Sequence, residues 1–389
     1  MTYQFGNHTF SSKFDASTTN KPLSVYIKPC EIIFNKDTIK CEGIKIAQRE
    51  DKAFDISKLE LSLNEQKLSA KGEFAEKENF LINVDIKNLQ IDTLFTFLPS
   101  PYVRFGGEAT GNIAVAKDST IHISSKDLFI KDFSYLNGRL GETNSKVSYD
   151  IDHSELLLDV DIACEDNHST KIEGYVDCSR HDSLNLHIDA NKLRIDFLNT
   201  WVGKFLEDFH GDLTGLVHLY GPGNELKLIG EPSIDASFTN NLSGSRFFLK
   251  DYVSLYKDED SDNSHIDLHN AKFLDTFGNE ATLNAAINHC HFNHFSYNVN
   301  IDLPERNGFL IFDKPTHYNN ELYWGQIYGT GNVSFVGKGN KHVINLNCQT
   351  VGKSQFNISP GEESYSDKGY NFLTFRDKNV FEESERHDY

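Results

Sequence analysis

The residues best spaced to do chemistry cluster at His289-Cys290-His291-Phe292-Asn293-His294, where imidazoles and a thiol could hold a metal ion. A closed site needs three or four donors converging at about 2.0–2.3 Å. On a strand, His289 and His291 share one face while Cys290 and His294 point to the other, so convergence would need a turn at Asn293. The plainer expectation is surface histidines beside a turn. Asp258-Glu259-Asp260-Ser261-Asp262-Asn263 opens like a calcium loop. However, Asn263 stands where that loop needs glycine and His269 where it needs a bidentate glutamate, so a solvated acidic loop is expected. Ser254-Leu255-Tyr256-Lys257 has S-x-x-K spacing without the companion S-D-N or K-T-G motifs. Gly337-Lys338-Gly339-Asn340-Lys341 lacks the spacing and following helix of a phosphate loop. Asp159 and Asp161 are two acids among many on a wet strand face. No nucleophile, base and orienting group can be assembled from these residues. The expectation is a protein that is not an enzyme and uses no cofactor and no metal.

What must position any functional surface is a repeat. Gly107 and Gly111 recur as Gly211 and Gly215, each displaced by 104 residues. Upstream, Ile82, Val84, Asp85, Leu89, Ile91 and Asp92 find Leu186, Ile188, Asp189, Leu193, Ile195 and Asp196 at the same displacement. A period this long, built of short alternating runs, predicts stacked β modules sharing one core. Alternation of period two dominates. Leu156, Leu158, Val160 and Ile162 face one way and Asp159 and Asp161 the other; Ile82, Val84 and Ile86 alternate with Asn83, Asp85 and Lys87. The same holds for Leu184, Leu186 and Ile188, for Val299, Ile301 and Leu303, and for Ile344 and Leu346. One apolar and one wet face is the antiparallel pattern. Turn signals recur at Asn137-Gly138, Gly221-Pro222-Gly223-Asn224 and Gly337-Lys338-Gly339-Asn340. Gly107, Gly111, Gly211, Gly215, Gly329 and Gly331 are expected as structural turns. The fold class is therefore all-β, an elongated antiparallel meander of about 16 to 20 strands, on the order of 80 Å long.

Short amphipathic helices are expected at equivalent places, after Asp92 and after Asp196. The second has an apolar stripe of Phe197, Leu198, Trp201, Val202, Phe205 and Leu206 with Asp196 as N-cap. The first, with Leu94, Phe95 and Leu98, is stopped by Pro99 and Pro101. Residues 1–50 read as a partial module or leader and 51–155 as a first repeat. A second repeat covers 156–260, a third and divergent one 261–360, and 361–389 a charged tail expected to be poorly ordered.

Composition excludes some partners. Lys+Arg 38 against Asp+Glu 57 gives a net charge of −19, which repels nucleic acid. No run approaches the roughly 18 apolar residues of a membrane helix, and Met1 opens into no signal pattern. The repeat favours a piece of a longer protein whose targeting segment lies elsewhere. The six cysteines, at 30, 41, 164, 178, 290 and 348, include no C-x-x-C. A turn near Asn167 places Cys164 opposite about residue 170 rather than Cys178, so buried single thiols are preferred to a disulfide there.

From about Leu193 onward the chain resembles the TamB family of the bacterial envelope, the translocation and assembly module, in particular its Bacteroidetes branch. The residues that carry this are Phe197-Leu198 through Phe209 and Gly211-x-x-x-Gly215-Leu-Val-His-Leu-Tyr-Gly221, then Asp275-Thr-Phe-Gly278-Asn279 and His289-x-x-Phe292. Leu322-Tyr-Trp-Gly325-Gln-Ile-Tyr-Gly329-Thr-Gly331-Asn-Val-Ser-Phe-Val-Gly337 follows, leading to Thr350 and Phe356. The match covers roughly 190–360; Ala285 stands where the pattern has glycine, and the anchor and terminal domain of longer members have no counterpart here. The resemblance implies a β-sheet bent into a taco-like apolar trough that passes phospholipid across the periplasm. It also implies an inner-membrane anchor and a barrel assembly partner at the outer membrane in the full-length family member. A lipid-lining surface would comprise Ile82, Val84, Ile86, Leu156, Leu158, Val160, Ile162, Leu184, Leu186, Ile188, Ile344 and Leu346. Two rivals stay open: a scaffold that templates outer-membrane proteins at its strand edges, and a closed structural solenoid with a dry core. The mixture of Val, Ile, Leu and Phe inside, without polar ladders, leans to the lipid reading.

Overall fold

The computed structural model describes residues 2–358 except 6–7, 14, 21–22, 35–36, 51–52, 75–78, 96–103, 119, 180–182, 204–205, 224, 260 and 315–322. The tail 361–389 therefore lies outside the described residues. The chain is all-β: 27 strands form one antiparallel sheet in which nearly every strand pairs with its neighbour in sequence. That exceeds the expected 16 to 20 because six ranks are each shared by two short strands lying end to end. Lys227–Gly230 and Ser233–Asn240, for example, both pair with Leu206–Pro222. The strands thus stack in 21 ranks, roughly 100 Å at about 4.8 Å per rank. The ladder runs unbroken across the boundaries expected near 155 and 260, so the repeats are stretches of one sheet.

The repeat is visible in the hydrogen bonds. Asn88 and Lys192, 104 residues apart, both take positive φ (53° and 56°). Each donates its backbone N–H to a threonine of the following strand, Asn88 to Thr110 Oγ1 at 3.0 Å and Lys192 to Thr214 Oγ1 at 3.1 Å. Both sites coincide with register shifts, between Ala109 and Gly111 and between Ala190 and Leu193. The recurring Gly-x-x-Thr-Gly is thus a bulge device: an extra residue leaves one amide out of the ladder, and the threonine accepts its hydrogen.

The six glycines expected at turns lie inside strands, in Phe105–Lys117, Leu206–Pro222 and Tyr323–Lys338. They serve close approach instead. A Cβ on Gly111 (φ +159°) would sit 2.5 Å from the Asp127 carbonyl oxygen, and one on Gly331 (φ +119°) 2.2 Å from that of Asn347. The Asn137-Gly138 signal does mark a hairpin: Tyr135 pairs with Gly138, and Leu136 and Asn137 between them both have positive φ.

The helices are shorter than the apolar stripe suggests. A 3-10 turn over Asp196–Leu198 runs into one α turn over Asn199–Val202, and Leu206 already opens the next strand. The Asn199 side chain, at the start of the α turn, ties it to the next strand. Its Nδ2 donates to the Phe209 carbonyl at 2.6 Å and its Oδ1 accepts the Phe209 N–H at 3.2 Å, as a strand partner would. Asp196 is no N-cap; its carboxylate turns back to Arg194, His210 and the Gly211 amide. The equivalent helix is Ile91–Phe95, with Leu98, Pro99, Pro101 and Phe205 outside the described residues.

All six cysteines are free, but only Cys41 is buried; Cys178 is exposed and the others half-buried. Cys164 donates its amide to His168 and Cys178 to Ser154, which places the two at opposite ends of one hairpin.

The sheet bends. Gly138–Asp150 and Ser183–Arg194 are separated by two strands yet touch, and Leu140, Ile162, Ala190 and Leu193 share one buried cluster. Further on, Phe247 stacks on Phe309 at 5.7 Å and the Asp313 amide donates to the Ser243 carbonyl at 2.9 Å. These contacts enclose the largest cluster, including Ala271, Phe273, Leu283 and Val333. Asp275, 1% exposed, locks it by accepting the amides of Phe277, Asn279 and Leu310 and the Asn279 side chain at 2.7–2.9 Å. Asp275→Ala orphans the buried Leu310 amide among others. It is expected to cost about 3 kcal/mol, read as a lower urea midpoint with unchanged slope.

Candidate functional site

Register builds the apolar face. Ile56, Gly72, Ile82, Val115, Ile123, Tyr149, Leu156, Val176 and Leu184 are successive cross-strand partners, one per strand. Beside this row runs a second, with Ala70, Val84 and Ile113 in the first repeat and Leu158, Gly174, Leu186, Leu219 and Leu228 in the second. A third takes Leu61, Leu68 and Ile86, then Val160, Ile172, Ile188 and Val217. Directly opposed residues of antiparallel strands project to the same side. The rows therefore form one aliphatic surface crossing the strands, along the long direction of the sheet. Ten of the twelve lining residues expected from the sequence fall on these rows or, for Ile162, one pair beyond them.

Burial along each strand is graded. Leu156, Leu158 and Val160 are half-buried, and Ile162 is 0% exposed. Ile82 and Val84 are half-buried before Ile86 at 6%, as are Leu184, Leu186 and Ile188 before Ala190 at 2%. These buried ends lie at the rim that carries the helical turns, although Phe80, at the other end of its strand, is also buried against Phe74. There Phe197 meets Tyr135 edge-on at 5.3 Å, and a Cβ on Gly138 would sit 2.3 Å from the Phe197 nitrogen. One rim is packed shut and the other leaves the face partly open. The face is not purely aliphatic, contrary to the expected absence of polar ladders: Thr143 and Thr170 are buried beside Ile162 at the closed rim, Ser145 is buried opposite Val160 on the third row, and Ser125 opposite Val147, the partner of Leu158, on the second. Thr170 is used, accepting the Asn191 amide at 3.1 Å. The Thr143 and Ser125 hydroxyls have no hydrogen-bond partner among the described residues.

Ile344 and Leu346 stand apart. They oppose Phe335 and Val333 on strand Lys341–Thr350, but are 48% and 68% exposed. Among the described residues that strand has a partner on one side only.

The outward face is polar. Lys146, Asp159, Lys171 and Glu173 form a chain of ion pairs across three strands.

The histidine cluster is not a surface turn throughout. His289 is 2% exposed, stacked on Phe292 at 4.7 Å, with its Nδ1 accepting the Phe292 amide at 3.1 Å. Burial, then the neighbouring His265 and His291, pushes its pKa below the usual histidine range. It borders a cleft of about 380 Å³ shared with His265, Cys290 and His294. No three such side chains converge as a metal site among the described residues. In the acidic loop, Asp258 binds His265 Nε2 at 3.0 Å and the Ser261 hydroxyl at 3.0 Å.

Sequence reasoning missed Thr110 and Thr214, although both copies of the repeated motif carry them. It also missed the anchoring of Asp196, for which sequence holds no signal. Comparison with protein-family models, curated proteins and solved structures found no match.

Asp196 is the charged anchor of the closed rim. Burial raises its pKa, but hydrogen bonds from Arg194, His210 and the Gly211 amide outweigh burial and hold it below the usual carboxylate value. The folded state thus binds this proton less readily than the unfolded state. The resulting stability is complete above the unfolded-state pKa and is lost as pH falls through the folded-state value. Asp196→Asn is expected to lower the urea midpoint at neutral pH, with the gap to the parent closing below about pH 4. An undiminished gap in acid would mean that the charge is not what matters.

Proposed function

We propose that this chain is a segment of an envelope-spanning lipid conduit, its bent sheet forming a taco-like trough that binds phospholipid acyl chains and passes them between inner and outer membranes. The observation that carries the reading is the set of aliphatic rows running along the sheet while one rim stays partly open. Rows perpendicular to the strands offer an acyl chain a track of near-constant chemistry, with about 0.8 kcal/mol gained per CH₂ removed from water. A compact protein would cover such a face with a second layer. The ion-paired outer face keeps the elongated sheet wettable, and no catalytic group is called for. The resemblance to TamB proteins points the same way and would place the segment in the periplasm of a longer, inner-membrane-anchored chain with a barrel partner. Purified from bacterial membranes under mild conditions, the chain is expected to carry phospholipid at one or more per chain by native mass spectrometry and lipid extraction. Leu158→Asp and Leu186→Asp, in the middle of the open face, are expected to abolish that lipid while strand content holds. A folded chain free of lipid overturns the reading.

The bare edge supports a second reading, a scaffold that pairs with unfolded outer-membrane strands. Val343, Ile344 and Leu346 are 53%, 48% and 68% exposed on the one-sided strand, which suits capture of an alternating strand by β-augmentation. Here an unfolded barrel-strand peptide is expected to bind, and Leu346→Lys to weaken it at least tenfold without touching copurified lipid. Loss of lipid together with peptide would assign the edge to the trough.

A further inference from the structure

We propose that Cys30 and Cys41 are the two halves of a cross-strand disulfide that staples the amino-terminal part of the sheet. They are direct register partners in strands Cys30–Phe34 and Asp37–Gln48. Opposed residues of antiparallel strands hold their Cα atoms about 4.5–5.5 Å apart and their side chains on one face. That lies inside the roughly 4.4–6.8 Å a disulfide spans. The two thiols are close enough that, besides burial, Cys41 raises the pKa of Cys30.

No other cysteine is so placed. Cys164 contacts the Ile162 carbonyl and the Thr170 hydroxyl, Cys348 pairs with Gly331, and Cys290 with Asn263 and Asn293. Cys178 lies at the far end of its hairpin from Cys164.

Accessibility sets the order of events. Cys30 is half-buried and Cys41 only 3% exposed, so a reagent reaches Cys30 first and Cys41 acts from within. With a small disulfide such as oxidised glutathione, the Cys30 thiolate attacks one sulfur. One glutathione thiolate leaves, and a mixed disulfide remains on Cys30. The Cys41 thiolate then attacks Cys30 Sγ, the mixed bond breaks, and the second glutathione thiolate leaves. The protons of the two cysteine thiols end on the two released glutathiones; the chain loses two electrons and the glutathione disulfide gains them. Burial, followed by the nearness of Cys41, pushes the Cys30 thiol up, so the first attack quickens as pH rises.

The staple has a place in the architecture. Cys41 also opposes Leu61, so the bond would close the third aliphatic row at its amino-terminal end. The pairing depends on register alone and holds whether or not the face carries lipid.

The test uses the whole chain, reduced, freed of reductant while folded, then exposed to oxidised glutathione and blocked with an alkylating reagent. Trypsin sites at Lys36 and Lys40 separate the two cysteines, so the bond joins two peptides in a non-reducing mass map. The expected result is one cross-linked species joining Cys30 to Cys41, lighter than the sum of its reduced peptides by two hydrogens, with the other four cysteines alkylated. The strand signal in circular dichroism should be unchanged. Alkylation of both Cys30 and Cys41 in a chain that keeps its strand signal overturns the proposal. So does a mixture of pairings matching the one that forms in strong denaturant.

Discussion

The structure depends on the register of its antiparallel ladder. Side chains alternate with period two, so a slip of one residue in any strand would turn its aliphatic side outward and its carboxylates inward. In a sheet of 21 ranks with no second layer among the described residues, one such slip would interrupt every row crossing that strand. The chain pins register locally, at short hairpins and at bulges. Where the ladder takes up an extra residue at Asn88 and at Lys192, a threonine hydroxyl on the next strand replaces the missing carbonyl. The same Gly-x-x-Thr-Gly segment supplies the glycines that let adjacent backbones approach, so one short motif carries both parts of the device.

A single sheet buries its apolar face only by bending onto itself or by leaving it partly uncovered, and this chain does both. Near Phe247 and Phe309 the strand ends fold inward around a packed cluster fastened by Asp275 and the Ser243–Asp313 backbone bond. Between Ile82 and Pro222 the rim shut among the described residues is the one closed by helical turns too short to be stable alone and held by Asn199 and Asp196. The result is a gradient from fully buried residues at that rim to half-buried ones toward the other. The buried Thr143 and Thr170 sit at the shut end, whereas Ser125 and Ser145 lie on the rows of Leu158 and Val160.

The half-open aliphatic rows give the proposed function its physical basis. A sliding acyl chain is arrested by polar groups that must be desolvated; Ser125 and Ser145 are the buried ones on these rows among the described residues. A strand edge that captures other strands needs free backbone groups, and Lys341–Thr350 presents them at one end only. The two proposed readings use different parts of the same sheet, face and edge.

Much of this was legible in the residues. Alternation of aliphatic and charged side chains dictated strands with one wet face, and the spacing of turn signals dictated a meander. The displacement of 104 residues marked the two equivalent segments and the two helical turns, but their glycines read as turns where the ladder has bulges. Local chemistry sufficed because each of these features is decided by neighbours in sequence. The rest depended on residues brought together from far apart. The docking of the helical turn after Asp196 was decided by Asn199 reaching Phe209, and the burial of His289 by Phe292 and Phe295 closing over it. The grading from Leu156 to Ile162 arose from a bend that draws Leu140 and Leu193 together across two intervening strands. Sequence specified which side of each strand is apolar. Only the tertiary structure decided how much of that side meets water, because exposure depends on the curvature of the whole sheet and on what packs against each rim.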